Sequence, residues 1–428
     1  MLMNTWQLVR NGLIVAIVST SSLAQQSIEP QSPRPPSHGR GDTQRYSIEQ
    51  AISDRAQLHT IAFDALAFLT GDFAHDTFLP PGKVSDYFGF QYMRDIDAKH
   101  SGHSTSFLTT IALNILTLLN QQQRNQLVVL AHSQQDSITT FARQRLPLIN
   151  AFRMNLEGKI PTDSIGLNRN AVMRASSQLY RLDGELAYDR AKVMARIIRS
   201  FSDEQREALS KLKFGDSGTW PTVTEPDERR SWPHEIDVAV MTYASELFSW
   251  YAGNSEADIY FCPERHGMYF GGFGMKTAPA MGKQNYSIST SLTGDSGTAM
   301  LELLDSPQRK HITDLIDLQR SDLQEIISIR QHIATELRLL LNGAQGNRSA
   351  IMHLSERYGA IDGELSYWYA TAFASVGQSL TIVQRQKLLA LRQVDPGEQP
   401  GPFLYSEPIR DALFGDPKTF FYEPKDAT

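Results

Sequence analysis

The stretch LNQQQRNQLVVLAHSQQDSITTFARQRLPLINAFRMNLEG, residues 119–158, decides the fold, because the chain writes it twice. Residues 304–343, LDSPQRKHITDLIDLQRSDLQEIISIRQHIATELRLLLNG, align to it without a gap at an offset of 185. Identities fall at Leu119/Leu304, Gln123/Gln308, Arg124/Arg309, Gln134/Gln319, Arg145/Arg330, Arg153/Arg338 and Gly158/Gly343. Further out, Ser104-Thr105-Ser106 matches Ser289-Thr290-Ser291 at the same offset. Downstream, LDGELAY (182–188) matches IDGELSY (361–367) and FSDEQREAL (201–209) matches LTIVQRQKL (380–388), now at an offset of 179. Upstream, Asp64, Phe68 and Gly71 match Glu246, Trp250 and Gly253, and Tyr87-Phe88-Gly89 matches Tyr269-Phe270-Gly271. Agreement of order and spacing reads as a tandem duplication, with repeat 1 over 46–213 and repeat 2 over 234–392.

Both copies read as helical. Ile351, Leu354, Tyr358, Ile361, Leu365, Trp368 and Ala372 alternate at three and four residues, as do Val172, Ala175, Leu179, Leu182 and Leu186. That spacing is the seam of a helix packed on a neighbour. Each such helix runs about 30 residues, or about 45 Å at 1.5 Å per residue. Alternating β-branched runs are scarce, so the expected architecture is all-α: two helical-hairpin or bundle repeats with long helices. Residues 214–233, with three prolines and no helical period, read as a linker. Residues 393–428 form a Pro- and aromatic-rich tail expected to lie extended against the helices.

The first 24 residues read as an export signal: Arg10, an apolar run from Gly12 to Val18, then Ser22-Leu23-Ala24 as a small-x-small cleavage site. The apolar run is too short to cross a bilayer, so no membrane span is expected. Residues 25–45 are rich in Pro, Ser and Gln and read as a disordered leader. The chain has 428 residues, a formal charge of −6 and 21% charged residues, a globular composition that argues against a nucleic-acid partner. Its single cysteine, Cys262, permits no intramolecular disulfide. A soluble periplasmic or secreted protein is expected.

One short pattern occurs four times, as LNQQQRNQL (119–127), FSDEQREAL (201–209), LDSPQRKHI (304–312) and LTIVQRQKL (380–388). Physically it is a helix start: Asn120, Ser202, Asp305 and Thr381 cap, while Gln123, Gln205, Gln308 and Gln384 reach back to the cap's own N–H. Capping alone does not account for the Arg that follows every Gln. In this pattern the sequence resembles the Spy/CpxP family of periplasmic helical proteins, marked by a paired Leu-Thr-x-x-Gln motif. Leu380-Thr381-x-x-Gln384 carries the motif letter for letter, and the other three have Asn, Ser or Asp at the cap. The resemblance covers about 95 residues of each copy. It implies that a first motif opens a long helix, a hairpin follows, and a second long helix leads into the second motif. It also implies a chaperone that cradles unfolded envelope proteins, a stress regulator or a metal sensor. Because the family's chaperones are dimers, two copies in one chain imply an intramolecular pseudo-dimer. Roughly 60 residues ahead of each first motif, including the Tyr-Phe-Gly segments, have no counterpart in the family, and the negative charge is unlike a client cradle.

Two clusters could hold a metal. Asp95, Asp97, His100 and His103 combine carboxylate and imidazole, a set suited to zinc, copper, nickel or iron; the alternative is a solvated loop. Cys262, His266 and Met268 combine thiolate, imidazole and thioether, as copper or a thiolate-ligated haem would use; the alternative is a buried apolar cysteine. The paired acids Asp183/Asp362 and Glu185/Glu364 flank the seams and are expected to pair with Arg145/Arg330 or Arg153/Arg338 as surface ion pairs. Two Gly-Asp-Ser-Gly tetrapeptides, at 215–218 and 294–297, copy a serine-protease nucleophile segment without its β-barrel, and no catalytic residue is assigned. The expected function is a non-enzymatic exported binding protein, chaperone-like or envelope-stress-related. The alternative is a metal- or haem-binding redox or sensor protein.

Overall fold

The computed structural model describes residues 45–46, 53–70, 106–212, 217–251, 286–287, 291–392, 403–404, 407–408 and 420–425. Among these the fold is all-α. The first half contributes α1 (Asp54–Thr70), α2 (Ser106–Leu118), α3 (Gln121–Leu156), α4 (Arg169–Arg199) and α5 (Asp203–Lys211). The second contributes α6 (His234–Tyr251), α7 (Ser291–Leu303), α8 (Ser306–Leu339), α9 (Arg348–Ser379) and α10 (Ile382–Arg392). Short antiparallel ribbons join β1 (Arg45–Tyr46) to β3 (Tyr286–Ser287), and β4 (Phe403–Leu404) to β5 (Glu407–Pro408). A third joins β2 (Ser164–Leu167) to β6 (Tyr422–Pro424), near the C-terminus.

The centre of the molecule is an antiparallel crossing of α4 and α9, the most extensive helix contact in the fold. Small residues make the close approach. Gly184 lies against Ser355, and Gly363 lies against Ser176, the same two positions with the halves exchanged. A Cβ on Gly359 would stand 2.5 Å from the Tyr180 Cβ and 2.7 Å from the Ser176 carbonyl oxygen. The Tyr180 and Tyr358 rings meet at 5.1 Å. The edges are polar: Arg169 pairs with Glu364, and Arg348 lies 3.9 Å from Glu185, again an exchanged pair.

Seam residues Ile351, Tyr358, Ile361 and Leu365 are buried, yet burial on α9 extends beyond them to Met352, Asp362, Tyr369 and Phe373. A seam describes one partner. Here α9 packs on α4, α8, α3 and α1 together, so more of its circumference leaves water.

The leading helices are exchanged. Helix α1 packs chiefly on α7, with further contacts to α8, α9 and α10, all in the second half. Helix α6 packs on α2 and α3 in the first half. Ile61, Leu66 and Phe68 of α1 and Val240, Leu247 and Trp250 of α6 are thereby buried in one continuous apolar core. Segment 214–233, expected as a plain linker, is pinned where it is described. Trp220 is buried edge-on to Phe248, Arg124 pairs with Glu228 at 2.6 Å, and Arg229 pairs with Asp237 at 2.6 Å.

Candidate functional site

The four capped helix starts come together in pairs. In the first half the Gln205 Nε2 donates to Gln123 Oε1 and to the Leu118 carbonyl, both at 2.7 Å. Gln123 Nε2 donates to the Ser200 hydroxyl at 3.0 Å and to Gln205 Oε1 at 3.2 Å. The second half repeats the arrangement. Gln384 Nε2 donates to Gln308 Oε1 and to the Leu303 carbonyl at 2.8 Å, and Gln308 Nε2 to the Ser379 hydroxyl at 3.2 Å. Each glutamine also accepts from its own cap N–H, at 2.9 to 3.0 Å. A carboxamide both donates and accepts, so two of them close a reciprocal clasp that neither Glu nor Lys could make.

The arginine after each glutamine has its explanation here. Helix C-termini leave carbonyls without intrahelical partners. Arg124 and Arg309 donate to the carbonyls of Leu119 and Leu304, five residues back. Arg206 and Arg385 donate to those of Ile198 and Gly377, eight residues back. The motif therefore ends one helix, starts the next and fastens the second long helix to the origin of the first.

Two sets of polar residues are buried at matched positions. Arg145, Asp183 and Arg190 of the first half, with Glu246 of α6, match Arg330, Asp362 and Tyr369 of the second, with Asp64 of α1; all are buried. Exchange of α1 and α6 is what delivers Glu246 and Asp64 to these places. Arg190 Nη1 lies 3.3 Å from Glu246 Oε1, and its guanidinium is 5.5 Å from the Tyr243 ring. The Tyr243 hydroxyl donates to Gln134 at 2.8 Å. In the second half the Tyr369 hydroxyl donates to Gln319, which donates to Gln57 at 3.0 Å. Burial, and then the charges of Asp64 and Asp362, hold the Tyr369 phenol well above its ordinary value, so it stays protonated.

This corrects the expected surface pairing of the acids. Asp183 and Asp362 sit in the core, because α4 and α9 are covered on more than their seams. Glu185 and Glu364 pair with Arg348 and Arg169 of the opposite half rather than across their own hairpins. Arg153 instead donates to the Phe68 carbonyl at 2.6 Å and lies over its ring, while Arg338 lies 5.9 Å from the Trp250 ring.

A cleft of about 470 Å³ opens at the α3–α4 hairpin tip, where α9 and β6 close its walls. Nine residues lie between Gly158 and Asn168, against three between the matched Gly343 and Asn347. The extra length carries β2, which β6 covers. The Tyr422 hydroxyl donates to the Ala151 carbonyl at 3.1 Å, and the Asn168 N–H to that of Phe421 at 2.7 Å. Asn168, Asn170, Tyr367, Thr371, Ser375 and Gln378 line the cleft together with the charged Arg169 and Glu423. Next to it, on α8, burial and then Glu364 push the Asp322 carboxyl up to about 6 against the pull of Arg357 and Arg169.

Asp95, Asp97, His100, His103, Cys262, His266 and Met268 all lie outside the described residues. Among the described residues no group of three or more His, Cys, Asp or Glu could hold a metal ion, and no helix is long and apolar enough to cross a membrane. The cleft and Asp322 went unread in the sequence. The signal for the cleft was present, as the step in offset from 185 to 179. The chain matches no protein-family model, no curated protein and no solved structure.

Proposed function

We propose that this chain is an exported, non-enzymatic binding protein of the bacterial envelope, chaperone-like or stress-related, whose two halves arose by duplication and stand in for the subunits of a dimer. The observation that carries this reading is the pair of glutamine clasps. In each half a first motif opens a long helix, a hairpin follows, and the returning helix delivers a second motif onto the first. That is the order implied by the resemblance to the Spy/CpxP family. The exchanged leading helices supply what a separate subunit would bring in a dimer. A chaperone-like role requires no nucleotide. Light scattering of a chemically unfolded client, diluted into buffer without ATP, tests it. Equimolar protein is expected to suppress the scattering, and unchanged scattering at several-fold excess overturns the reading.

A further inference from the structure

We propose that the cleft at the α3–α4 hairpin tip binds a short, uncharged oligosaccharide. The first support is that this site has segments of its own. The lengthened hairpin loop with β2 and the covering strand β6 both build it. The matched hairpin tip of the second half is closed over instead: Tyr188 donates to the Gln345 carbonyl at 2.9 Å, and Arg199 donates to that of Leu340.

The second support is the contrast in charge between the two tips. Along α4 the surface facing the closed tip carries Lys192, Arg196 and Arg199. At the matched positions on α9 the cleft has Thr371, Ser375 and Gln378. Three cations give way to three uncharged polar groups. The two charges in the lining are already engaged, Arg169 with Glu364 and Glu423 with the Asn168 amide. An anionic or cationic ligand would have to compete for them. A neutral one leaves the Arg169–Glu364 pair in place and meets Asn170 and Thr371 beside the already bonded Asn168, Ser375 and Gln378.

Third, the lining chemistry matches vicinal hydroxyls. Carboxamides and hydroxyls each donate and accept within one small group, as sugar hydroxyls require of their partners. Tyr367, braced edge-on by Trp368 at 5.0 Å, supplies an aromatic wall for the apolar face of a ring. The volume of about 470 Å³ falls within the usual size range of small-molecule sites. An extended peptide fits less well, since its side chains need apolar pockets and the lining is mainly polar.

Isothermal titration of the full chain with cellotetraose, maltotetraose and chitotetraose, alongside an uncharged unstructured peptide, tests the proposal independently of any client assay. Saturable binding of at least one sugar is expected. Thr371→Trp, which fills the cleft, should weaken it by about tenfold or more. Asn170→Ala, at an exposed position near the start of α4, should weaken it by a few-fold with unchanged thermal unfolding, and it decides the matter if the tryptophan variant fails to fold. Arg196→Ala at the closed tip should leave it unchanged. No saturable heat from any sugar at millimolar concentration overturns the proposal. Sugar binding indifferent to both cleft variants does so too, as does binding of the peptide alone with sensitivity to those variants.

Discussion

The two buried polar clusters occupy the same places in the two halves and balance their charges differently. The first set has two arginines, Arg145 and Arg190, and two acids, Asp183 and Glu246; the second has Arg330, Asp362 and Asp64, with Tyr369 at the position matched to Arg190. The backbone frame, including the exchanged helices, is common to both. A buried ion pair is kept by the cost of breaking it, whereas a buried phenol needs only a hydrogen-bond acceptor. One frame thus tolerates two chemistries, provided that each buried group finds a partner.

The largest effect should come from the first cluster. Arg190→Leu leaves Glu246 buried without its guanidinium and is expected to cost about 3–5 kcal/mol of unfolding free energy, measured by urea denaturation. Tyr369→Phe at the matched position should cost about 1–2 kcal/mol, for the hydrogen bond to Gln319. Equal losses would break the comparison. Next comes Gly359→Ala at the α4–α9 crossing. Its new Cβ would meet the backbone of Ser176 and Ser177, and overpacking should cost about 1–3 kcal/mol. Gly184→Ala should cost a comparable amount, because the Ser355 hydroxyl can turn away but the Ser355 Cβ, 2.8 Å from the new methyl, cannot.

The clasps give the third test, and here the halves should agree. Gln123→Ala and Gln308→Ala each remove a cap contact and a carboxamide pair, and each should cost about 1–2 kcal/mol. A clear difference between them would show that one clasp is slack. The smallest effect is a pH dependence confined to the second half. Asp322 faces Glu325 on its own helix, Glu364 and Arg357 on α9, and Arg169 on α4, and its folded value of about 6 stands above the ordinary 3.8. The folded state therefore holds this proton more tightly than the unfolded one. Its contribution is complete below pH 3.8 and is lost as pH rises through about 6. Asp322→Asn should make the protein more stable than its parent above that point, by about 1 kcal/mol after solvent screening of a half-exposed group. Indistinguishable pH profiles for Asp322→Asn and its parent would dismiss it.

Much of this frame could be read from residues. The heptad spacing of Ile351 to Leu365 pointed to long helices, and the Ser/Asn/Asp/Thr caps marked the starts of two long helices and two short ones. The meeting of Gln123 with Gln205 could not be read. A cap is a local signal, whereas a clasp depends on where a helix 31 residues long returns. The depth of Asp183 and Asp362 was hidden for a related reason. Periodicity records how much of a helix is apolar, and a polar residue with a partner leaves no apolar mark. The cleft was half visible: the shift in offset announced extra residues, but a tail strand more than 250 positions away supplies its cover.

Exchange of the leading helices also sets a timetable for synthesis. The cover for α2 and α3 is α6, so the first half has its full cover only once the chain has been made as far as Tyr251. Helix α1 waits longer, since its main partner begins at Ser291. At about 5–20 residues per second, the interval between Thr70 and Ser291 lasts roughly ten to forty seconds. Throughout it Ile61, Leu66 and Phe68 have no final resting place. A nascent chain cut anywhere between the halves is consequently two unfinished objects, and the whole closes only when its own second half arrives.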